Sequence, residues 1–235
     1  MRPADAATLA GGVLAGASIT LAVSGYLDLA VRILMLAYAL DVLDGWLARR
    51  FGGASEEGLM LDRAFDRVSQ VVAPLIVYAA WATPRLSPLD RALLAAYSGG
   101  IVAVAFWRLV KRVVWRLTHF AGLPMFAHAG VLLLSYIGDV LVKPVILIGL
   151  MIMSAVPVPY LRRLRWGSRN PSPGTLPRLL AVLIIAVLPY HAAPVVAAAR
   201  VALAALLAYA AVGFIPPLLG LTPGPRLAGG GSSHR

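Results

Sequence analysis

The sequence predicts an all-α integral membrane protein, and its composition, its apolar runs and its charge placement each point that way. Of 235 residues, 60% are hydrophobic and only 13% charged, with a mean hydropathy of +0.83. Soluble domains average roughly 45–50% apolar and about 25% charged residues. Too few polar side chains remain to cover a globule of this length, so apolar surface must face lipid. The apolar residues fall into runs near the roughly 20 residues that a bilayer-spanning helix needs. Helices are the expected form, because backbone groups at membrane depth must be satisfied internally.

Eight spans are predicted, at about 7–25, 27–48, 58–83, 90–110, 120–138, 142–158, 178–194 and 195–220. With the N-terminus inside, 14 of the 21 basic residues lie on inside segments, and only Arg85, Arg91 and Lys143 lie on outside loops. That bias follows the positive-inside rule and predicts a multi-pass cell-membrane protein with both termini cytosolic. Arg32 and Arg200 fall near outer helix ends, where they are expected to snorkel. The first run has only Arg2 before it and Asp5 within it, so it reads as an uncleaved span rather than a signal peptide. A tight hairpin between Pro189 and Pro194 is assumed between the last two spans.

The segment LRRLRWGSRNPSPGTLPR is basic and rich in Pro, Gly and Ser. It divides the chain into a six-helix unit (1–160), a cytosolic linker (161–177), a two-helix extension (178–220) and a disordered tail (221–235). The net charge of +11 sits between apolar spans, which suits anionic headgroups and argues against nucleic acid as a partner. Cysteine is absent, so there is no disulfide framework and no thiolate metal site.

Residues 41–66, DVLDGWLARRFGGASEEGLMLDRAFD, carry most of the functional signal. Asp41 and Asp44, at i and i+3, share one helix face at the inner end of the second span. Asp62 and Asp66, at i and i+4, share a face one turn into the third. A Gly52–Gly53 turn would bring the two helices back antiparallel, so the four carboxylates can converge. Ionisable groups at this depth are expensive and normally face something that compensates them. Oxygen-only ligands select hard cations such as Mg²⁺, Mn²⁺ or Ca²⁺, and Mg²⁺ characteristically joins carboxylates to substrate phosphates. Gly45, Ala48 and Gly58 leave room for close helix approach or for a nucleotide against bare backbone. A salt-bridge network with Arg49, Arg63 and Arg67 is the structural alternative. Glu56 and Glu57 read as solvated loop charges.

The spacing Asp-x2-Asp-Gly-x2-Ala-Arg-x8-Gly-x3-Asp-x3-Asp resembles the signature of the CDP-alcohol phosphotransferases, and all eight defined positions match. The resemblance implies a six-helix catalytic core, a homodimer and two divalent cations, Mg²⁺ or Mn²⁺, at the cytosolic face, with Ca²⁺ as a non-productive occupant. It implies Asp41, Asp44 and Asp62 as metal ligands, and Asp66 as general base that also touches metal. Gly45, Ala48 and Arg49 would line the CDP site, with Gly58 and Thr8 beside them. The donor would be CDP-diacylglycerol or CDP-archaeol, and the product would be a phospholipid plus CMP.

Three stretches resemble the phosphatidylserine and archaetidylserine synthase branch: DRVSQVVAPLIVY (66–78), HFAGLPMFAHAG (119–130) and LMIMSAVPVPY (150–160). They favour L-serine as acceptor. Arg63, where that branch usually has serine, and the Asp66-Arg67 pair resemble the inositol-phosphate branch instead, so a phosphorylated polyol is the alternative. Arg108 and Lys111, three apart on one helix face, are candidates for acceptor or phosphate contact. A cation-coupled transporter is the rival from another class, but it would spread its charges along a pore.

The remaining polar and aromatic residues have plainer readings. His119 is an interfacial residue, His128 a packed or hydrogen-bonded one, and His191 a bystander of the outer hairpin. Pro74 and Pro124 are expected to kink their helices. Trp81, Tyr97, Trp107, Trp115, Tyr136 and Trp166 read as an aromatic belt.

Overall fold

A first helix, α1 (Pro3–Val23), begins with a proline in its first turn and with the Asp5 carboxylate accepting from Arg2 N at 2.9 Å. It ends at Gly25, whose φ of +86° makes the left-handed cap that other residues resist. The amides of Gly25 and Tyr26 close back onto Ala22 O and Leu21 O, and the chain reverses into α2 (Leu27–Arg50). Small residues recur every three or four positions on the buried stripe of α1: Ala4, Thr8, Gly12, Ala15, Ser18 and Ala22. That stripe lets α1 lie close along α2, where Ser18 Oγ donates to Ala30 O at 2.8 Å.

The chain is described here by a computed structural model covering residues 2–51, 55–114, 122–156 and 175–218. Among these residues the regular structure is entirely helical. After α2 come α3 (Glu56–Arg67), a π-helical segment (Val68–Val72) and α4 (Ala73–Ala82), which run on as one rod. Then follow α5 (Pro88–Val114), α6 (Met125–Ile137), α7 (Pro144–Ala155), α8 (Thr175–Val187) and α9 (Ala193–Leu218). The turn over residues 188–192 joins α8 to α9. The α3–α4 rod packs on α1 and on α6, α5 packs on α7, and α8 and α9 lie against α2 and α6. Tyr78, Tyr97, Ile101, Leu123, Leu132 and Leu147 fill one core, while Ala15, Val31, Leu34 and Val77 fill a second around α1 and α2.

Among the described residues, three helices are long and apolar enough to cross a bilayer: Pro3–Val23, Pro88–Val110 and Ala193–Gly213. α6 and α7 are apolar but have 13 and 12 residues. At about 1.5 Å rise per residue they reach roughly 20 Å, against about 30 Å of hydrocarbon. Helix length alone therefore does not carry the expected count of eight spans. The Gly52–Gly53 turn, His119, Trp115, Trp166, residues 161–174 of the basic linker and the tail lie outside the described residues.

Several expectations are corrected. Glu56 and Glu57 open α3 rather than sit in a loop, because Ser55 caps that helix by accepting from Gly58 N at 2.9 Å. Pro124 precedes α6 as its capping residue and kinks nothing. Tyr97 and Trp81 are buried in the core rather than held in an aromatic belt, whereas Trp107 is exposed. Arg32 and Arg200 do not simply snorkel. Arg32 donates to Ala186 O and Leu188 O at 2.7 and 2.9 Å and covers the Tyr190 ring, and Arg200 donates to Gly138 O at 2.8 Å. His191 meets Asp28 at 2.8 Å, and Asp28 also accepts from the Tyr136 hydroxyl. These contacts fasten the C-terminal helix pair to α2 and α6.

Candidate active site

The last turns of α2 and the helix α3 each bring two carboxylates to one place. Oxygen atoms of Asp41, Asp62 and Asp66 all lie within 4.8 Å of one another. Asp44, one turn on from Asp41, is buried and accepts from Thr8 Oγ1 of α1 at 2.7 Å. All four carboxylates line one cleft, together with Thr8, Gly11, Gly12, Ala37, Phe65 and Ser69. Asp41 is the exposed member, while Asp62 and Asp66 are half-buried.

Neighbouring helices hold this arrangement. The Phe65 ring lies flat on Gly12, where any side chain would intrude into it, and this seats α3 against α1. Asp5 accepts from Ser55 N and Ser55 Oγ at 3.2 and 3.1 Å, tying the start of α1 to the cap of α3. A Cβ on Gly58 would collide with that Asp5 carboxylate. Gly58 thus has a packing reason for its size, independent of any nucleotide. Gln70 Nε2 donates to Asp66 Oδ1 at 3.0 Å and orients that carboxylate.

Electrostatics bears on what such a cleft can hold. Two unit charges about 4 Å apart repel by on the order of 4 kcal/mol at an effective dielectric near 20. Gathering several carboxylates is therefore unfavourable unless a cation joins them. The ligand oxygens around one dication stand roughly 3–5 Å apart, for metal–oxygen bonds of about 2.1–2.5 Å. The Asp41, Asp62 and Asp66 oxygens meet that spacing, and all are hard donors. The residues present fit a divalent cation.

The other expected site residues are more scattered. Gly45 and Ala48 are half-buried on α2 and do not line the cleft. Arg49 belongs to α2 and Lys111 to α5, but their side chains lie outside the description. Arg63 and Arg67 are half-buried on α3, and Arg67 Nε is shielded from solvent with no hydrogen-bond partner among the described residues. Arg108 Nη1 donates to Leu123 O at 2.6 Å, so part of its guanidinium serves the 122–124 turn. His128 is buried, as expected of a packed histidine, between Tyr97 at 3.1 Å and Ser154 at 2.7 Å. Sequence reasoning missed Asp5 and Gln70. Gln70 is four residues after Asp66, a spacing that signals a shared face; Asp5, 50 residues before Ser55, gave no such signal.

Comparison with known proteins adds one finding. The family model for CDP-alcohol phosphatidyltransferase matches residues 1–159. No curated protein matches the chain at a significant level.

Proposed function

Because the chain belongs to the CDP-alcohol phosphatidyltransferase family, we propose that the cleft between α2 and α3 transfers the phosphatidyl or archaetidyl group of a CDP-lipid to L-serine. The family reaction moves a phosphatidyl group from a CDP-alcohol to an acceptor alcohol. The observation that carries the site assignment is the meeting of Asp41, Asp62 and Asp66 from two helices in one cleft.

Asp41, Asp44 and Asp62, with Asp66, would hold two divalent cations, Mg²⁺ or Mn²⁺. Bound there, such cations supply charge neutralisation for the pyrophosphate and the departing CMP. In the reaction the acceptor oxygen forms a bond to the lipid-linked phosphorus as the bond from that phosphorus to the CMP oxygen breaks. Asp66 receives the hydroxyl proton as the new bond forms, a task within reach of a carboxylate once positioning supplies much of the rate. Gln70 fixes the plane of Asp66 for this, and Thr8 does the same for Asp44. Gly45, Ala48 and Arg49 would line the CDP site, which opens on the cytosolic side of a homodimer.

Serine is supported by the stretches at 66–78, 119–130 and 150–160. A second reading, a phosphorylated polyol acceptor, is favoured by one observation: the buried Nε of Arg67 is a cationic donor one residue from Asp66 that has no hydrogen-bond partner among the described residues. CMP release from a CDP-lipid with Mn²⁺ separates the two when serine, inositol phosphate and glycerol phosphate are supplied in turn. Turnover with serine alone is expected. Turnover with only a phosphorylated polyol overturns the serine assignment.

A further inference from the structure

The carboxylate pairs sit on two different helices, and something must hold those helices in one relative register. The π segment between α3 and α4 carries a direct bond to α2. In an α-helix the Ser69 carbonyl accepts from the amide four residues on, that of Ala73. Here the Ala73 amide donates to Val68 O instead, the five-residue bond of a π turn. The next π donor to Ser69 O would be residue 74, which is proline and has no N–H. Neither helical partner therefore serves Ser69 O. The Tyr38 hydroxyl of α2 does, donating to it at 2.8 Å.

The two ends of this bond are close to the site. Tyr38 is three residues before Asp41, on the same face of α2. Ser69 is three residues after Asp66, lines the cleft and is buried. The bond thus crosses from α2 to the α3–α4 rod one turn away from a carboxylate on each side. From this geometry we propose that Tyr38 is a positioning residue: its hydroxyl sets the α2 carboxylates against the α3 carboxylates by satisfying the carbonyl that the π turn and Pro74 leave without a helical donor. The π turn is then a built joint, whose register is read by a side chain from the partner helix. The proposal rests on the reading of the carboxylates as a cation site, and its test separates the two.

The full chain in detergent is titrated with Mn²⁺, and binding is followed by water-proton relaxation without substrate. Cation-dependent CMP release is measured alongside. Tyr38→Phe is expected to raise the Mn²⁺ concentration at half-saturation by about tenfold, the scale typical of lost supports behind metal ligands. KM for the CDP-lipid should stay near that of the wild type. Pro74→Ala restores an N–H at position 74 that can serve Ser69 O, so in that background the same Tyr38→Phe change should cost much less. Equal losses in both backgrounds, or unchanged Mn²⁺ binding by Tyr38→Phe, overturn the proposal. Should Pro74→Ala not fold, Tyr38→Leu decides. The hydroxyl accounts for the effect if Phe loses most of what Leu loses, and ring packing accounts for it, against the proposal, if only Leu loses. A wild type that binds Mn²⁺ but releases no CMP defeats the transferase reading and leaves the joint standing. A wild type that releases CMP with Tyr38→Phe unaltered defeats the joint alone.

Discussion

The two ends of α2 hold charge in opposite ways. Near its start, Asp28 meets His191 and the Tyr136 hydroxyl, and Arg32 spans two carbonyls at the end of α8. At the same end of the molecule Arg85 pairs with Asp139 at 2.6 Å and Lys143 with Asp90 at 3.2 Å. Charge there is matched to opposite charge or to backbone, and its product is attachment of one helix to another. Near the other end of α2, four carboxylates share a single cleft. Matched charge explains itself as structure, whereas like charge gathered by two helices implies a ligand of opposite sign. Substitutions at the two ends should therefore fail in different ways.

The largest effect is expected at the acidic end. Asp66→Asn should lower CMP release by roughly a hundredfold or more, the usual contribution of a positioned general base, while the variant still binds Mn²⁺ and nucleotide. Substantial turnover by that variant would remove the proposed base. Thr8→Val removes the hydroxyl that donates to Asp44 and leaves the helix shape intact. About tenfold weaker cation activation is expected, read as a shift in the Mn²⁺ dependence of CMP release rather than in the melting temperature.

At the opposite end the readout changes to stability. Arg32→Met deletes two charged hydrogen bonds to the end of α8. It should destabilise the protein by about 2 kcal/mol, seen by thermal unfolding in detergent, with CMP release per folded molecule retained. The smallest effect belongs to Arg85→Ala. Its ion pair with Asp139 is largely exposed, so its loss should cost less than about 1 kcal/mol. If Arg32→Met abolished turnover in folded protein, the division between the two ends would break.

The parts of this arrangement that the sequence made legible are those with a period. Asp41 and Asp44, and Asp62 and Asp66, announce their shared faces through spacings of three and four, and the fold brings members of both pairs together. The all-helical class followed from composition and apolar runs for the same reason. Contacts between distant residues have no such mark. Arg32 meets carbonyls more than 150 residues away, and Asp5 meets Ser55 across 50. Each requires the folded packing of α1, α2 and α8. The π segment was half legible: Pro74 signals a broken hydrogen-bond ladder, but a kink, a π turn and a helix end all satisfy that signal. Arg108 shows the opposite failure, where a spacing that suits a ligand contact partly serves a turn carbonyl instead.

The shared cleft itself is tested most directly by cation binding. Purified wild-type protein and an Asp41→Asn/Asp62→Asn variant would be titrated with Mn²⁺, with and without CDP-lipid, at matched folded fraction. Saturable binding by the wild type, strengthened by the CDP-lipid and lost in the variant, is the expected result. Equal binding by both proteins, or none by the wild type even with the CDP-lipid present, would contradict the assignment of these carboxylates.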